Sequence, residues 1–154
     1  MIELTHQEVS ISNVNQITAL AHQLWPESTF EELLDDFSAM IGNKNNLVML
    51  VILANEPVGF AHIALRNEYV EGAEQFPVAY LEGIYVVPNQ QQKGIGEYMV
   101  RQAQSWAQAK GCTQLASDVE FLNIGSQAFH QKMGFEEVNR VVCYIKKLPS
   151  SIKA

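Results

Sequence analysis

The chain has 154 residues, of which 47% are hydrophobic and 18% charged, with a formal net charge of -7. That is enough for one domain with a packed core, since single cores hold roughly 100 to 200 residues, and it is far from the composition of disorder. The acidic balance argues against nucleic acid and anionic membranes as partners and favours a cationic one, although net charge also serves solubility alone.

No apolar run approaches the roughly 20 residues that cross a bilayer, and the first ten residues lack the basic start and apolar centre of a signal peptide. A cytoplasmic protein is expected. Cys112 and Cys143 stand in no metal-like spacing, so a buried reduced thiol is the default for each, with no disulfide and no metal site.

In chain order, Asn13 can cap a helix over residues 14–25, with Ile17, Leu20, Ala21 and Leu24 on one face and Pro26 as its stop. Thr29 can cap a second helix through Met40; Glu31 and Glu32 sit in its first turn, where the dipole favours acids, and Gly42 lies just beyond its end. Residues 47–54 and 58–66 read as strands joined in a hairpin at Asn55-Glu56-Pro57. After a polar excursion over 67–77, residues 78–87 form a third strong strand that Pro88 ends. Residues 94–110 place Ile95, Met99, Ala103, Trp106 and Ala107 on one face of a long helix closed by Gly111. A short buried strand at 115–118, a short helix at 126–133 stopped by Gly134 and a final strand region at 138–147 complete the pattern. The expected order is βααβββαβαβ: an α/β fold with a single mixed sheet flanked by helices, one domain over residues 1–148 and a loose tail at 149–154.

Between the third strong strand and the long helix lies the polar loop Asn89 to Glu97. Helix N-termini carry unpaired N–H groups and partial positive charge, and Gly94 and Gly96 have no side chain to hold a pyrophosphate off the backbone. Lys93 adds a positive charge. Glycines that merely ease the bend into a helix would look the same, and the Walker pattern of ATP sites is absent.

Gln91-Gln92-Lys93-Gly94-Ile95-Gly96 resembles the Q/R-x-x-G-x-G/A loop of the GNAT N-acetyltransferases, and Asn123 to Phe135 resembles the second signature of that family. With the matching order of elements, the resemblance covers nearly the whole chain. It implies the GNAT fold, acetyl-coenzyme A as cosubstrate, and a pyrophosphate held along Gln91, Gln92, Lys93, Gly94, Ile95, Gly96 and Glu97. It also implies that Ile84, Tyr85 and Val86 pair their backbone with the pantetheine arm, in a gap beside the strand ending at Asp118. Asn123 would contact the coenzyme near the pantetheine. His130 stands where the family usually has a tyrosine facing the departing sulfur. A histidine there either protonates the thiolate or packs the helix.

Amide formation needs a neutral amine, whereas aliphatic amines are protonated near neutral pH, so a base or a water path must take a proton. Glu82 is a carboxylate within an apolar strand, where burial is costly without a partner or a wet cleft. Alternation puts it on the face of Ile84 and Val86, near the thioester, unless a bulge intervenes; a carboxylate pointing from an edge strand into water is the alternative. Asp118 falls where the sheet opens, or it caps a loop. Glu68, Glu71 and Glu74 crowd one excursion, which is either a plain solvated loop or an attractor of polycations.

The segments Leu24 to Glu27, Arg66 to Gly72, Leu81 to Val86 and Ala116 to Asp118 resemble a subgroup of the family, the aminoglycoside 6'-N-acetyltransferases of type I. That resemblance implies a resistance enzyme acting on an aminoglycoside 6'-amine by direct transfer in a ternary complex, with Trp25, Tyr69, Glu82 and Asp118 lining the pocket. Glu82, Asp118 and His130 are then the candidate catalytic residues, with Glu82 the base, directly or through water. Asn139 stands where relatives often carry glutamate. A homodimer is implied as well, with the final strands as its candidate interface. Two other readings stay open: a GNAT enzyme for another amine, such as a polyamine or a protein N-terminus, and a non-catalytic acetyl-coenzyme A-binding module.

Overall fold

The computed structural model describes residues 3–151; residues 1–2 and 152–154, the outer ends of the expected domain and tail, lie outside them. The elements are β1 (Thr5–Glu8), α1 (Val14–Leu24), α2 (Phe30–Ala39), β2 (Asn46–Leu53), β3 (Glu56–Arg66), β4 (Val78–Val86), α3 (Ile95–Ala109), β5 (Leu115–Ser117) and α4 (Ile124–Lys132), with one turn of 3-10 helix at Pro88–Gln90. The strands form one sheet in the order β1-β2-β3-β4-β5. Neighbours are antiparallel except β4 and β5, which run parallel. The expected mixed α/β architecture therefore holds from β1 through α4. No helix among the described residues is long and apolar enough to cross a membrane.

Both faces of the sheet are covered. On β2, Leu47, Met49 and Val51 join the core packed against α3, through Ile95, Met99, Ala103 and Ala107. The alternate residues Val48 and Leu50 join a second core with Ile17, Leu20 and Ala21 of α1 and Leu33 and Phe37 of α2. A strand buried on both faces reads as an unbroken apolar run, which is why β2 was legible. Each such side chain contributes on the order of 1.5 to 3 kcal/mol by leaving water.

Local signals held in most places. Thr29 closes a capping box: its hydroxyl accepts from the Glu32 N–H at 3.1 Å, and the Glu32 carboxylate accepts from the Thr29 N–H at 3.3 Å. The hairpin turn falls one residue earlier than expected. Ala54 and Asn55 both adopt positive φ, 53° and 65°, as a two-residue turn between right-twisted strands requires. Pro57 then lies inside β3, beside a register shift opposite Val51 and Ile52, where its missing N–H is tolerated. Asn13 occupies the N-cap of α1 but makes no cap bond; its side chain instead accepts from Ser10 N–H and donates to the Glu8 carbonyl, fastening β1 to the helix start.

The sixth strand expected over 138–147 does not form. Residues 135–151 have no regular structure, and Cys143, expected to be buried, is exposed. A strand is stable only with a ladder partner, and β5 offers three residues at the edge of the sheet.

Gly59 on β3 sits where a Cβ would lie 2.7 Å from the Tyr85 carbonyl oxygen and 3.2 Å from the Met99 methyl. The backbone oxygen cannot give way without pulling β4 off β3, so Gly59→Ala should destabilise the fold by roughly 1 to 3 kcal/mol. Chemical denaturation reads this directly, and an unchanged midpoint would show that the strands part more easily than the packing suggests.

Candidate active site

Two strands that pair and then separate create the site. β4 and β5 are joined at Ala79/Leu115, Tyr80/Ala116 and Leu81/Ser117 and then part, leaving the outer edge of β4 open through Val86. The Val87 N–H bonds to the Val58 carbonyl at 2.9 Å, so by antiparallel alternation the backbone groups of Ile84 and Val86 point away from β3 into the gap. Gln91 confirms the direction: its amide donates to the Val86 carbonyl at 3.1 Å. Of the three expected backbone contacts, Ile84 and Val86 present their polar groups to the gap, and Tyr85 presents its own to β3.

The loop after β4 leaves a helix start open to solvent. Gln92 and Gly94 take positive φ, 61° and 84°, and Gly94 becomes the N-cap of α3. Nothing lies within 4 Å of a Cβ built on Gly94, so space is open in front of the helix start. The N–H groups ahead of Tyr98, whose own N–H bonds to Gly94, face that space. Gly96 is bare for another reason: a Cβ there would meet the Phe129 ring at 3.0 Å, where α4 packs on α3. Lys93 is exposed beside Gln90, and Glu97 is paired with Arg101 at 2.6 Å, which removes much of its repulsion toward an incoming phosphate. Asn123 caps α4, its carbonyl oxygen accepting from the Ser126 N–H at 3.1 Å.

Glu82 is the residue that the sequence pattern misplaced. The β3–β4 register runs His62/Gly83 and then Ile63/Leu81, so Glu82 is the extra residue of a β-bulge. The bulge reverses the alternation. Ala79, Leu81, Ile84 and Val86 pack on the α3 side, whereas Glu82 turns to the α1–α2 side and does not share the face of Ile84 and Val86. There it lines a cleft of about 270 Å³ with Trp25, Leu33, Asp36, Phe37, Met40 and His62. Gly83 seats the tryptophan: a Cβ on it would lie 2.5 Å from the Trp25 indole. A second depression, of about 200 Å³ beside Glu8, Lys44 and Trp106, contains none of the expected site residues.

Glu82, in the cleft, is tied into one network with Asp118, which is not among the lining residues. Arg66, at the end of β3, donates from Nε and Nη2 to the two oxygens of Glu82 at 2.9 and 2.7 Å. Its guanidinium lies over the Tyr80 ring, 3.5 Å from the centroid, and the Tyr80 hydroxyl donates to Asp118. Burial and the bond to Asp118 push the Tyr80 hydroxyl far above the ordinary phenol range, so it stays a donor. The bond to Glu82 raises Arg66 still further. Glu82 and Asp118 are thus linked through Arg66 and Tyr80, neither of which the sequence pattern singled out as functional. An arginine ending a strand antiparallel to one that carries a glutamate is the only signal that could have suggested the pair.

His130 is buried between Phe129 and Phe135. Its Nδ1 donates to the Ser126 carbonyl at 2.8 Å, so the neutral ring accepts at Nε2 from the Ser117 hydroxyl, also 2.8 Å away. Ser117 is the last paired residue of β5, at the point where the strands part. The histidine therefore packs the helix and also stands behind the gap, with Ser117 between. Tyr69 is not among the residues lining the cleft; it is 79% exposed, and its hydroxyl donates to Glu71, which also accepts from Asn139. Among the described residues no cluster of three or more His, Cys, Asp or Glu could hold a metal ion.

Residues 13–135 match the acetyltransferase (GNAT) family. The aminoglycoside N(6')-acetyltransferase type 1 of Serratia marcescens is 36% identical over 137 residues, covering 88% of this chain and 94% of its own. The protein of the same name from Stenotrophomonas maltophilia is 37% identical over 129 residues, covering 83% of each. Among solved structures, AAC(6')-Iy in complex with the bisubstrate analog CoA-S-monomethyl-acetylneamine superposes with a TM-score of 0.89 at 31% identity, over 95% of this chain and 99% of that one. The aminoglycoside 6'-N-acetyltransferase AAC(6')-Ih from Acinetobacter baumannii superposes with a TM-score of 0.87 at 32% identity, over 96% and 100%.

His62, in the wall of the cleft, donates from Nε2 to Asn46 at 2.7 Å, and burial lowers its pKa below the ordinary 6.5 against the opposing pull of Glu82. The unfolded chain therefore takes this proton first as the pH falls. Stability should be full above the unfolded value and decline below it, by at most about 1.4 kcal/mol per pH unit. Denaturation at neutral and mildly acidic pH should show a smaller acid loss for His62→Gln than for wild type; equal losses would remove His62 as the cause.

Proposed function

The chain belongs to the acetyltransferase (GNAT) family, and on that premise we propose that it transfers the acetyl group of acetyl-coenzyme A to the 6'-amine of aminoglycoside antibiotics, as a resistance enzyme. One observation carries the reading: the bulge at Glu82 brings an acidic cleft up to the open edge of β4, so an acceptor site and a coenzyme gap meet at one residue. The names of the relatives and of the bisubstrate complex support the acceptor class.

In this mechanism Ile84 and Val86 hold the pantetheine arm as an added strand, and the residues from Gln91 to Glu97 hold the pyrophosphate at the start of α3. Asn123 contacts the coenzyme from the start of α4. Trp25, Glu82 and Asp118, joined by Asp36, receive the ammonium-bearing rings, and Tyr69 approaches from the 67–77 loop. Glu82 takes one proton from the acceptor ammonium, directly or through water. The freed amine nitrogen bonds to the thioester carbon as the carbon–sulfur bond breaks. Val86 N–H, on the open edge, donates to the carbonyl oxygen as it gains charge. The nitrogen gives up its second proton to water, and the sulfur gains one from water or from His130, once Nε2 has taken up a proton, by way of the Ser117 hydroxyl. Transfer is direct, within a ternary complex.

Residues 1–148 form the catalytic domain in this reading, and a highly charged cosubstrate that does not cross bilayers favours the cytoplasm. The protein acts as a homodimer. Tyr144 is 92% and Ile145 97% exposed, with Val141, Val142 and Leu148 exposed beside them, and β5 ends the sheet. The same segment of a second copy would supply the ladder partner that residues 138–147 lack within one chain.

Release of coenzyme A should be far faster with kanamycin or tobramycin than with spermidine or an N-terminal peptide. Glu82→Gln should reduce kcat by about 100-fold or more, the usual span for loss of a general base. Unchanged turnover in the variant removes Glu82 from that role, and a panel led by spermidine replaces the acceptor. Sedimentation should find a dimer that Tyr144→Glu with Ile145→Glu converts to monomer; a monomeric wild type would refute the assembly.

A further inference from the structure

We propose that Arg66 is a displaceable stand-in for the acceptor's ammonium group: it occupies Glu82 while the cleft is empty and must release that carboxylate before an amine can give up a proton there. The proposal rests on the acceptor reading above and deepens it.

The geometry comes first. Arg66 engages both oxygens of Glu82 at once, through a planar fork that matches a carboxylate edge to edge. A guanidinium does not give up a proton at any ordinary pH, so Arg66 takes no part in the proton transfer itself. It only covers the atoms that must receive the proton. An ammonium arriving at Glu82 meets a cation already seated on the same two oxygens.

The pair is also arranged to open. The Arg66 side chain is 39% and that of Glu82 23% exposed, so the bond stands at the mouth of the cleft and is not sealed in the core. Partly exposed ion pairs are weak, and a long side chain gains freedom on release. Behind the guanidinium is the face of Tyr80, a contact without directional hydrogen bonds along which a planar cation can slide. At the far end of that ring the Tyr80 hydroxyl is held by Asp118, a second carboxylate toward which a displaced Arg66 would move.

With Arg66 in place, one of the two linked negative charges is already answered, so each acceptor pays the same competition at Glu82. A single amine has nothing to recover it with, whereas a polycation has Asp36 and Asp118 for its other ammonium groups. Arg66 thereby weakens every acceptor by a similar factor, and the preference for several amines comes from Asp36 and Asp118.

The test compares wild type, Arg66→Gln and Arg66→Lys in steady-state kinetics with kanamycin and in calorimetric binding of kanamycin and of spermidine, after checking melting temperatures. Arg66→Gln should lower the kanamycin KM by about five-fold and tighten both polycations similarly, with the effect falling on KM more than on kcat. Arg66→Lys, which keeps the charge but loses the fork, should fall between and serves alone if the glutamine variant does not fold. A raised KM, or a lower kcat at unchanged KM, would mean that Arg66 binds the acceptor or fixes Glu82, and either overturns the proposal. A wild type that acetylates no aminoglycoside overturns the acceptor reading alone; spermidine binding, tightened or unchanged by Arg66→Gln, then still decides the role of Arg66.

Discussion

An antiparallel ladder tolerates one extra residue only by bulging, and the rest of this site depends on where β4 absorbs it. With Glu82 as that residue, the side chains before and after it fall out of phase, so Leu81 and Ile84 can both serve the core on the α3 side. In a strand kept in phase with Ile84 and Val86, Glu82 would have pointed into that apolar core at a prohibitive cost. The bulge keeps the carboxylate on the face opposite Leu81 while returning Ile84 to the core, and it falls where the parallel partner leaves β4. One local irregularity thus settles both which wall carries the acid and where the strand edge becomes available.

Burial of that carboxylate is made tolerable by its neighbours. Arg66 answers the charge, Tyr80 supports Arg66, and Asp118 supports Tyr80, so β3, β4 and the residue after β5 contribute to one polar network. Gly83 sits directly beside the bulge, where its lack of a side chain admits Trp25 against the sheet. The indole closes the cleft from the α1 end and rests edge-on against Phe60, 5.9 Å between ring centroids. Packing and electrostatics are therefore not separable here: the glycine that seats the aromatic wall is the neighbour of the residue that carries the charge.

The two halves of the site are made of different material. The proposed coenzyme half uses backbone: open N–H and C=O groups on β4, the bare start of α3, and an αL glycine with empty space before it. The proposed acceptor half uses side chains drawn from the end of α1, α2, β3, β4 and the residue after β5. Backbone recognition can be shared across a family because it needs little beyond glycine and a helix start. Side-chain recognition can vary, and here it sets a serine backed by a histidine beside the gap in place of the family's usual tyrosine.

This contrast explains how much could be read without coordinates. The apolar runs of β2 and β3, the one-sided faces of α1 and α3, the Thr29 cap and the Gly94–Gly96 loop were all legible, because each is specified by residues within a turn or a strand of one another. The family followed from the same contiguous signals. What stayed hidden was non-local. The face of Glu82 depends on strand register with His62 and Ile63; the Arg66 pair depends on that bulge; Asn13 ties a turn to β1 and caps nothing. Residues 138–147 have every local mark of a strand and form none, because strand formation needs a ladder partner and no stretch of sequence contains its own. The amino-acid sequence alone determined the fold class and the coenzyme loop, whose causes are short-range. The tertiary structure alone decided which acid lines the cleft and what holds it there, because register is set between strands.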